Sequence, residues 1–336
     1  MKIYSRLDAL LRASGISGRE NVTREKASEL IAPFVDEIRT DVMGNLIALR
    51  RARVSGEEKG ASVMLCAHMD EIGFLVTFIE DSGYIRVSAV GGIHATAAAY
   101  TNVVSNKGVA GLVAVSEDKK GEIKVEDLYI DIGAKNKKDA ERKVAIGDWF
   151  VLTPSLKKLM GKRVCGRPLD DRIGCAVMIE TAELLSDFEN KGDIYYVFSV
   201  QEEVGCRGAS PAAFGIAPEY SICFDVTGTG DALGAAPMAC SVGGGAAVKI
   251  KDRSVICHEQ VVAALCDIAE REGIKYQREV LTYGGTDTSV MQLAGRGSRA
   301  GAISIPTRNI HSGVELCDIG DAEASVLLAA AFVKSL

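Results

Sequence analysis

Four short runs, apolar almost throughout, each hand over to ionisable residues, and this pattern restricts the fold more than any other feature. Ser62–Ala67 runs into His68-Met69-Asp70, and Asp193–Val200 into Gln201-Glu202-Glu203. Tyr220–Phe224 runs into Asp225, and Ala300–Ile305 leads through a Pro-containing loop to His311. Uninterrupted apolar runs of strand length are expected where a strand is covered on both faces. Helical periodicity over Arg172–Ser186, Ile256–Arg271 and Ile319–Leu336, with a short helix over Thr286–Leu293, alternates with these runs. Alternating β and α elements predict an α/β fold around a mostly parallel, doubly covered sheet. In such open sheets, ligands gather outside the carboxyl ends of the strands. Segments far apart in sequence are thus expected to meet in one cleft.

The chain begins with helical stretches over Ser5–Ala13 and Glu20–Phe34, joined by a Gly/Ser loop, and a strand over Leu46–Leu49. Between Gly73 and Arg163 the texture changes. Short β-like runs (Phe74–Ile79, Tyr84–Ser88, Val109–Val115, Trp149–Thr153) are cut by turn signals, with one helix near Lys137–Lys143. The expectation is a discontinuous catalytic α/β domain, 1–72 and 164–336, interrupted by a β-rich domain at 73–163.

Composition narrows the function classes. At 47% hydrophobic and 25% charged residues, the chain can bury a core, which excludes wholesale disorder. Its formal charge of −6 and the lack of a concentrated basic patch argue against nucleic acid as a partner. No run approaches the ~18 apolar residues of a membrane span, and the N-terminus turns polar at once, unlike a signal peptide. Nine scattered cysteines without a C-x-x-C pair fit a reducing, cytoplasmic compartment.

The ionisable residues at the strand ends carry the chemistry. His68 and Asp70 are two apart, so on extended backbone they share a side. That pattern fits a metal ligand and the carboxylate that orients it, or a strand-end histidine in a surface turn. Asp170-Asp171 precedes a helix. The pair fits an N-cap, or a carboxylate bridging two cations while its neighbour is held away by Arg172 or backbone donors. Glu202-Glu203 point different ways, so one can ligate a metal while the other serves as general base; a solvated acidic turn is the alternative. Asp225 and His311 complete the set, which holds two of the chain's four histidines. Three acidic ligands, Asp170, Glu203 and Asp225, bring −3 against +4 from two divalent cations, and a bridging hydroxide closes the sum to zero. Two histidines and three carboxylates, with one Asp shared, give each metal three protein ligands and leave open positions for water and substrate.

Seven motifs in order resemble the M42 family of dinuclear metallo-aminopeptidases, the TET-like enzymes, some of which carry an old endoglucanase label. They are Ser14–Glu20 (SGISGRE), Ala67–Phe74 (AHMDEIGF), Leu169–Gly174 (LDDRIG), Gln201–Ala209 (QEEVGCRGA), Asp225–Thr227 (DVT), Gly284–Thr288 (GGTDT) and Ile305–Gly313 (IPTRNIHSG). The resemblance implies His68, Asp170 and Asp225 on one metal and Asp170, Glu203 and His311 on the other. It makes Glu202 the base acting on a water between the metals and Asp70 the support of His68. It also implies two divalent ions per subunit (zinc first, cobalt or manganese as alternatives), peptide substrates, a cis Asp170–Asp171 peptide and a β-barrel dimerisation insert. Homo-oligomers from dimer to dodecamer are further expected. Gly243-Gly244-Gly245-Ala246 and Gly91-Gly92-Ile93-His94-Ala95 depart from the usual family pattern in regions that lie near substrate in relatives.

Two other classes compete. A glycoside hydrolase would use two carboxylates ~5–10 Å apart across a sugar ring, without metal, and would favour aromatic platforms; the chain has one Trp. An inactive peptidase-fold binding protein would retain the scaffold without turnover. Resistance to chelation would favour the first, and an unchanged rate in Glu202→Gln would remove the proposed base.

Overall fold

The computed structural model describes residues 1–54 and 59–336. Val63–His68 is buried at every position and lies at the centre of an 11-stranded sheet. It pairs parallel with Ile194–Ser199 on one side and Tyr220–Thr227 on the other, and Tyr220–Thr227 pairs parallel with Arg299–Arg308. These four strands end on the same side of the molecule. Antiparallel strands flank them: Leu46–Arg50 and Glu37–Thr40 at one edge, and Glu315–Asp318, Arg163–Arg167 and Ser155–Lys158 at the other. Ala246–Lys251 and Tyr276–Val280 extend the sheet from Arg299–Arg308.

The apolar runs are explained by double cover. Val63, Leu65 and Ala67 face a core shared with helices Ile3–Leu11, Arg172–Leu184 and Ile319–Lys334. Met64 and Cys66 point the other way, against Ala209, Ala212 and Ala213 of helix Ala209–Ile216 and Met291 of helix Thr288–Met291. Each fully buried large aliphatic chain contributes about 1.5–3 kcal/mol, so both faces hold the strand ends in place.

The β-rich stretch forms a closed barrel in which Gly73–Ile79, Ile85–Val90, Leu128–Asp131, Ala110–Val115, Asn102–Ser105 and Trp149–Leu152 pair antiparallel in ring order. Its own core includes Phe74, Val76, Val103, Val113, Ile130 and Phe150. Closure removes the exposed edges that so small a sheet would otherwise present. Ser155–Lys158 hydrogen bonds in the large sheet rather than the barrel. The large sheet therefore takes up the chain again before residue 164.

Several element limits shift for local reasons. The second helix spans Asn21–Ile31 and tightens into a 3₁₀ turn over Ala32–Phe34, where Pro33 lacks an amide donor. Tyr220–Thr227 continues past its apolar run, so Asp225 lies within the strand, opposite Ser304. Helix Glu259–Glu272 starts after His258, which stands at its N-cap. The helix expected over Thr286–Leu293 is the single turn Thr288–Met291. Among the described residues no helix is long and apolar enough to cross a membrane, and all nine cysteines are free.

Candidate metal centre

The parallel strands deliver His68, Glu202, Glu203 and Asp225 to one end of the sheet, and loops bring Asp170 and His311 over them. Asp170 sits in the middle. Its Oδ1 lies 3.0 Å from His68 Nε2, and its Oδ2 lies 3.2 Å from His311 Nε2. Asp225 Oδ1 approaches His68 Nε2 at 3.9 Å, and Glu203 Oε2 approaches His311 Nε2 at 3.1 Å. Two overlapping triads result, His68–Asp170–Asp225 and Asp170–Glu203–His311, each with its ligating atoms within 4.8 Å of one another. The five residues read from the sequence as ligands are therefore in one place. Asp170–Asp171 is a cis peptide.

The histidine tautomers follow from their partners. His68 Nδ1 faces the Asp70 carbonyl at 3.1 Å, and His311 Nδ1 faces the Gly92 carbonyl at 2.9 Å. A carbonyl only accepts, so in each neutral ring the proton lies on Nδ1 and Nε2 presents a lone pair. Each lone pair confronts carboxylate oxygens, acceptor against acceptor. Without a cation, the rings must take up protons instead. Burial opposes a charge on His68, but its hydrogen bonds to Asp170 and Asp70 outweigh this and hold it well above the ordinary histidine value. His311, against the same opposition from burial, is pushed up to about 11 by Asp170 and Glu203. Burial together with Asp170 raises Glu203, whose Oε1 is buried without a hydrogen-bond partner. Crowded carboxylates, two aimed lone pairs and an orphaned carboxylate oxygen fit a pair of divalent cations.

Asp70 contacts His68, as expected of a residue that orients it, and has a second task as well. It meets His68 mainly through its backbone carbonyl, with its carboxylate Oδ1 at 3.4 Å. That carboxylate chiefly organises the acidic turn: it accepts from Glu202 N at 3.0 Å, Glu203 N at 3.2 Å and Ser17 Oγ at 2.6 Å. Asp171 turns away and accepts from Gly174 N at 3.0 Å as the N-cap of the following helix. Arg172 leaves the site altogether, donating to the carbonyls of Met69, Leu10 and Ala13. A backbone donor, not Arg172, therefore holds Asp171.

Glu202 stands beside the cluster. Burial outweighs the opposing influence of His68 and, with Asp225, Asp287 and Glu203 nearby, raises its carboxyl well above the usual range. It lines a cavity of about 670 Å³ together with Asp170, Glu203, Asp225, His311 and Tyr283. Gly92 and His94 of the barrel unit reach the same cavity. Gly243 and Gly245 do not; their amides donate to Asp321 at the start of the last helix. That half of the family departure lies away from the cavity wall.

Two contributors escaped the sequence reading. Glu315 accepts from the amides of Leu169, Asp170 and His311 at 2.5, 3.2 and 3.2 Å, tying together the two loops that carry Asp170 and His311. Burial raises its carboxyl to about 7 against the pull of Arg167. Asp287 lies buried beneath Glu202, accepting from Ser199 Oγ at 2.5 Å. A carboxylate four residues after His311 was the only signal for the first; the GGTDT motif marked the second without indicating a role.

A family model described as M42 glutamyl aminopeptidase matches residues 44–328. The chain belongs to the M42 peptidase family. It is 44% identical over 317 residues to a putative aminopeptidase of Acetivibrio thermocellus, covering 94% of this chain and 93% of that protein. Among solved structures, it resembles an aminopeptidase from the archaeon Desulfurococcus kamchatkensis with a TM-score of 0.94 and 34% identity, covering 100% of this chain and 95% of that one. The Pyrococcus horikoshii TET1 peptidase, which can assemble into a tetrahedron or a large octahedral shell, gives a TM-score of 0.88 at 34% identity, covering 99% and 100%. The family match and the relatives named aminopeptidase favour peptide over sugar cleavage.

Proposed function

We propose that this M42 chain is a dinuclear metal-dependent aminopeptidase that removes N-terminal residues from peptides. One observation carries the reading: the two oxygens of Asp170 face two different histidines, each backed by a further carboxylate. In this reading His68, Asp170 and Asp225 hold one cation, and Asp170, Glu203 and His311 hold the other. Such a pair would polarise the scissile carbonyl and lower the pKa of a water between the ions. Oxygen and imidazole ligands suit zinc, cobalt or manganese.

The chain's own groups supply the rest. Glu202 takes the proton from the attacking water and delivers it to the leaving amine, which requires it ionised before attack. Nearby cations would favour that state, opposing the upward shift produced by burial. Asp70 holds the Glu202 and Glu203 amides, so one carboxylate fixes both the base and a ligand. The substrate's free α-amine is expected to dock against an open coordination position or a neighbouring carboxylate, which restricts cleavage to the first peptide bond. In this reading, residues 1–72 and 164–336 form the catalytic unit. The β-rich 73–163 unit mediates dimers that build larger homo-oligomers, as the TET1 assemblies support. The free cysteines support a cytoplasmic location.

A panel of aminoacyl-p-nitroanilides, assayed metal-free and after adding back zinc, cobalt or manganese, tests the proposal. Hydrolysis is expected to vanish on chelation, to return with metal, and to be absent for N-acetylated substrates. Glu202→Gln is expected to lower kcat by roughly 10²–10⁴-fold with metal still bound. A flat panel under every metal would overturn the reading.

A further inference from the structure

Around the base lies a second group of ligating side chains, two of which, Cys206 and Asp287, the hydrolytic reading does not use. Glu202, Cys206 and Asp287 each offer an atom within 4.8 Å of the others. Cys206 Sγ lies 3.3 Å from Glu202 Oε1. Asp287 is 1% exposed. Its Oδ2 is engaged by Ser199 Oγ at 2.5 Å and Cys66 Sγ at 3.7 Å, while its Oδ1 is buried without a hydrogen-bond partner. A buried acceptor left unpaired is destabilising, and a cation would satisfy it. Cys206 and Glu202 both line the cavity, so an ion has a path from solvent.

We infer that Glu202, Cys206 and Asp287 form a third cation site, suited to a thiophilic divalent ion such as Zn²⁺ or Cd²⁺, and that filling it stops turnover by claiming Glu202. Zinc bound at ~2.3 Å from sulfur and ~2.0–2.2 Å from oxygen spans ligands about as far apart as these after small side-chain rotations. Cys206 binds as thiolate, its proton leaving to solvent, and a water completes the set. Charge permits a third ion. Asp70, Asp170, Asp171, Glu202, Glu203, Asp225 and Asp287 are seven carboxylates, −7 in all if ionised, against +4 from two cations. The thiolate selects zinc or cadmium over manganese, which prefers oxygen ligands. Only the inhibitory consequence rests on the aminopeptidase reading; the binding site itself does not.

The test dialyses the full-length protein against Zn²⁺ or Cd²⁺, counts bound ions per chain by elemental analysis, and records the ultraviolet thiolate-to-cadmium charge-transfer band. Three ions per chain and the band are expected, falling to two ions and no band in both Cys206→Ala and Cys206→Ser. Manganese is expected to stop at two. Excess zinc is expected to inhibit the wild type at least tenfold more than either variant. Three ions, or a surviving band, in both cysteine variants would overturn the inference. Two ions without a band in the wild type would also overturn it while leaving the dinuclear reading intact. The band with no uptake at the His68 and His311 set would instead sink the dinuclear reading and keep the third site.

Discussion

The two halves of the candidate centre are built in opposite ways. His68 and Asp225 stand on neighbouring parallel strands covered on both faces, and both are almost fully buried. His311 and Glu203 stand on loops, and the His311 side chain is 25% exposed. His311 also adopts φ 62°, a left-handed conformation that costs a non-glycine residue roughly 1–2 kcal/mol. What the strands provide on one side through packing, Glu315 and Gly92 provide on the other through single hydrogen bonds. One half is fixed by the core and the other by a few replaceable contacts, so the two should respond unequally to substitution.

The largest effect tests what the halves share. Asp170→Ala should remove a ligand from both and abolish metal uptake at the His68 and His311 set. Its rate loss should exceed the ~10⁴-fold upper range for losing a proton-transfer group alone, as read by steady-state kinetics and elemental analysis. Next, His68→Ala should destabilise the metal-loaded protein by about 3–5 kcal/mol, because the ring it removes is itself buried among carboxylates that solvent cannot reach, whereas the His311 ring is 25% exposed and water can take its place. His311→Ala should cost less than about 1.5 kcal/mol, with chemical denaturation as the readout. Equal losses would show that both histidines are held alike. Glu315→Gln should weaken the His311-side ion by roughly 10–100-fold and the His68-side ion by less, since only Asp170 of that set depends on Glu315, as read by a graded chelator titration. The smallest change is Gly92→Ala. A Cβ there would meet His311 Nδ1 at 2.9 Å, so kcat should fall a few-fold while stability moves by less than about 1 kcal/mol.

The same contrast explains what the sequence made legible. A strand covered on both faces must be apolar until it ends, so the switch from Ala67 to His68 and from Val200 to Gln201-Glu202-Glu203 marks strand ends without knowledge of the tertiary structure. Elements whose stability comes from distant partners left weaker marks. Glu37–Thr40 is exposed along its whole length and is a strand only because Leu46–Arg50 pairs with it. Asn102–Ser105 and Leu128–Asp131 are four-residue barrel strands with mixed burial, too short for a periodic signal. Glu315 reads as an ordinary polar residue until the fold brings Leu169 and Asp170 to it across 145 residues. Asp70 was legible as a supporting group, but which atoms it would support depends on where the 202–203 turn docks.

Gly92 belongs to the segment leaving the barrel strand Ile85–Val90, yet its carbonyl decides which nitrogen of His311 carries hydrogen. The neighbouring Gly91 adopts φ +80°, and a Cβ there would meet Glu203 Oε2 at 3.1 Å. The barrel is therefore part of the wall against which one half of the reactive pocket is cast. A substitution in the barrel's hydrophobic interior that shifts Gly92 would move the one carbonyl that His311 Nδ1 faces.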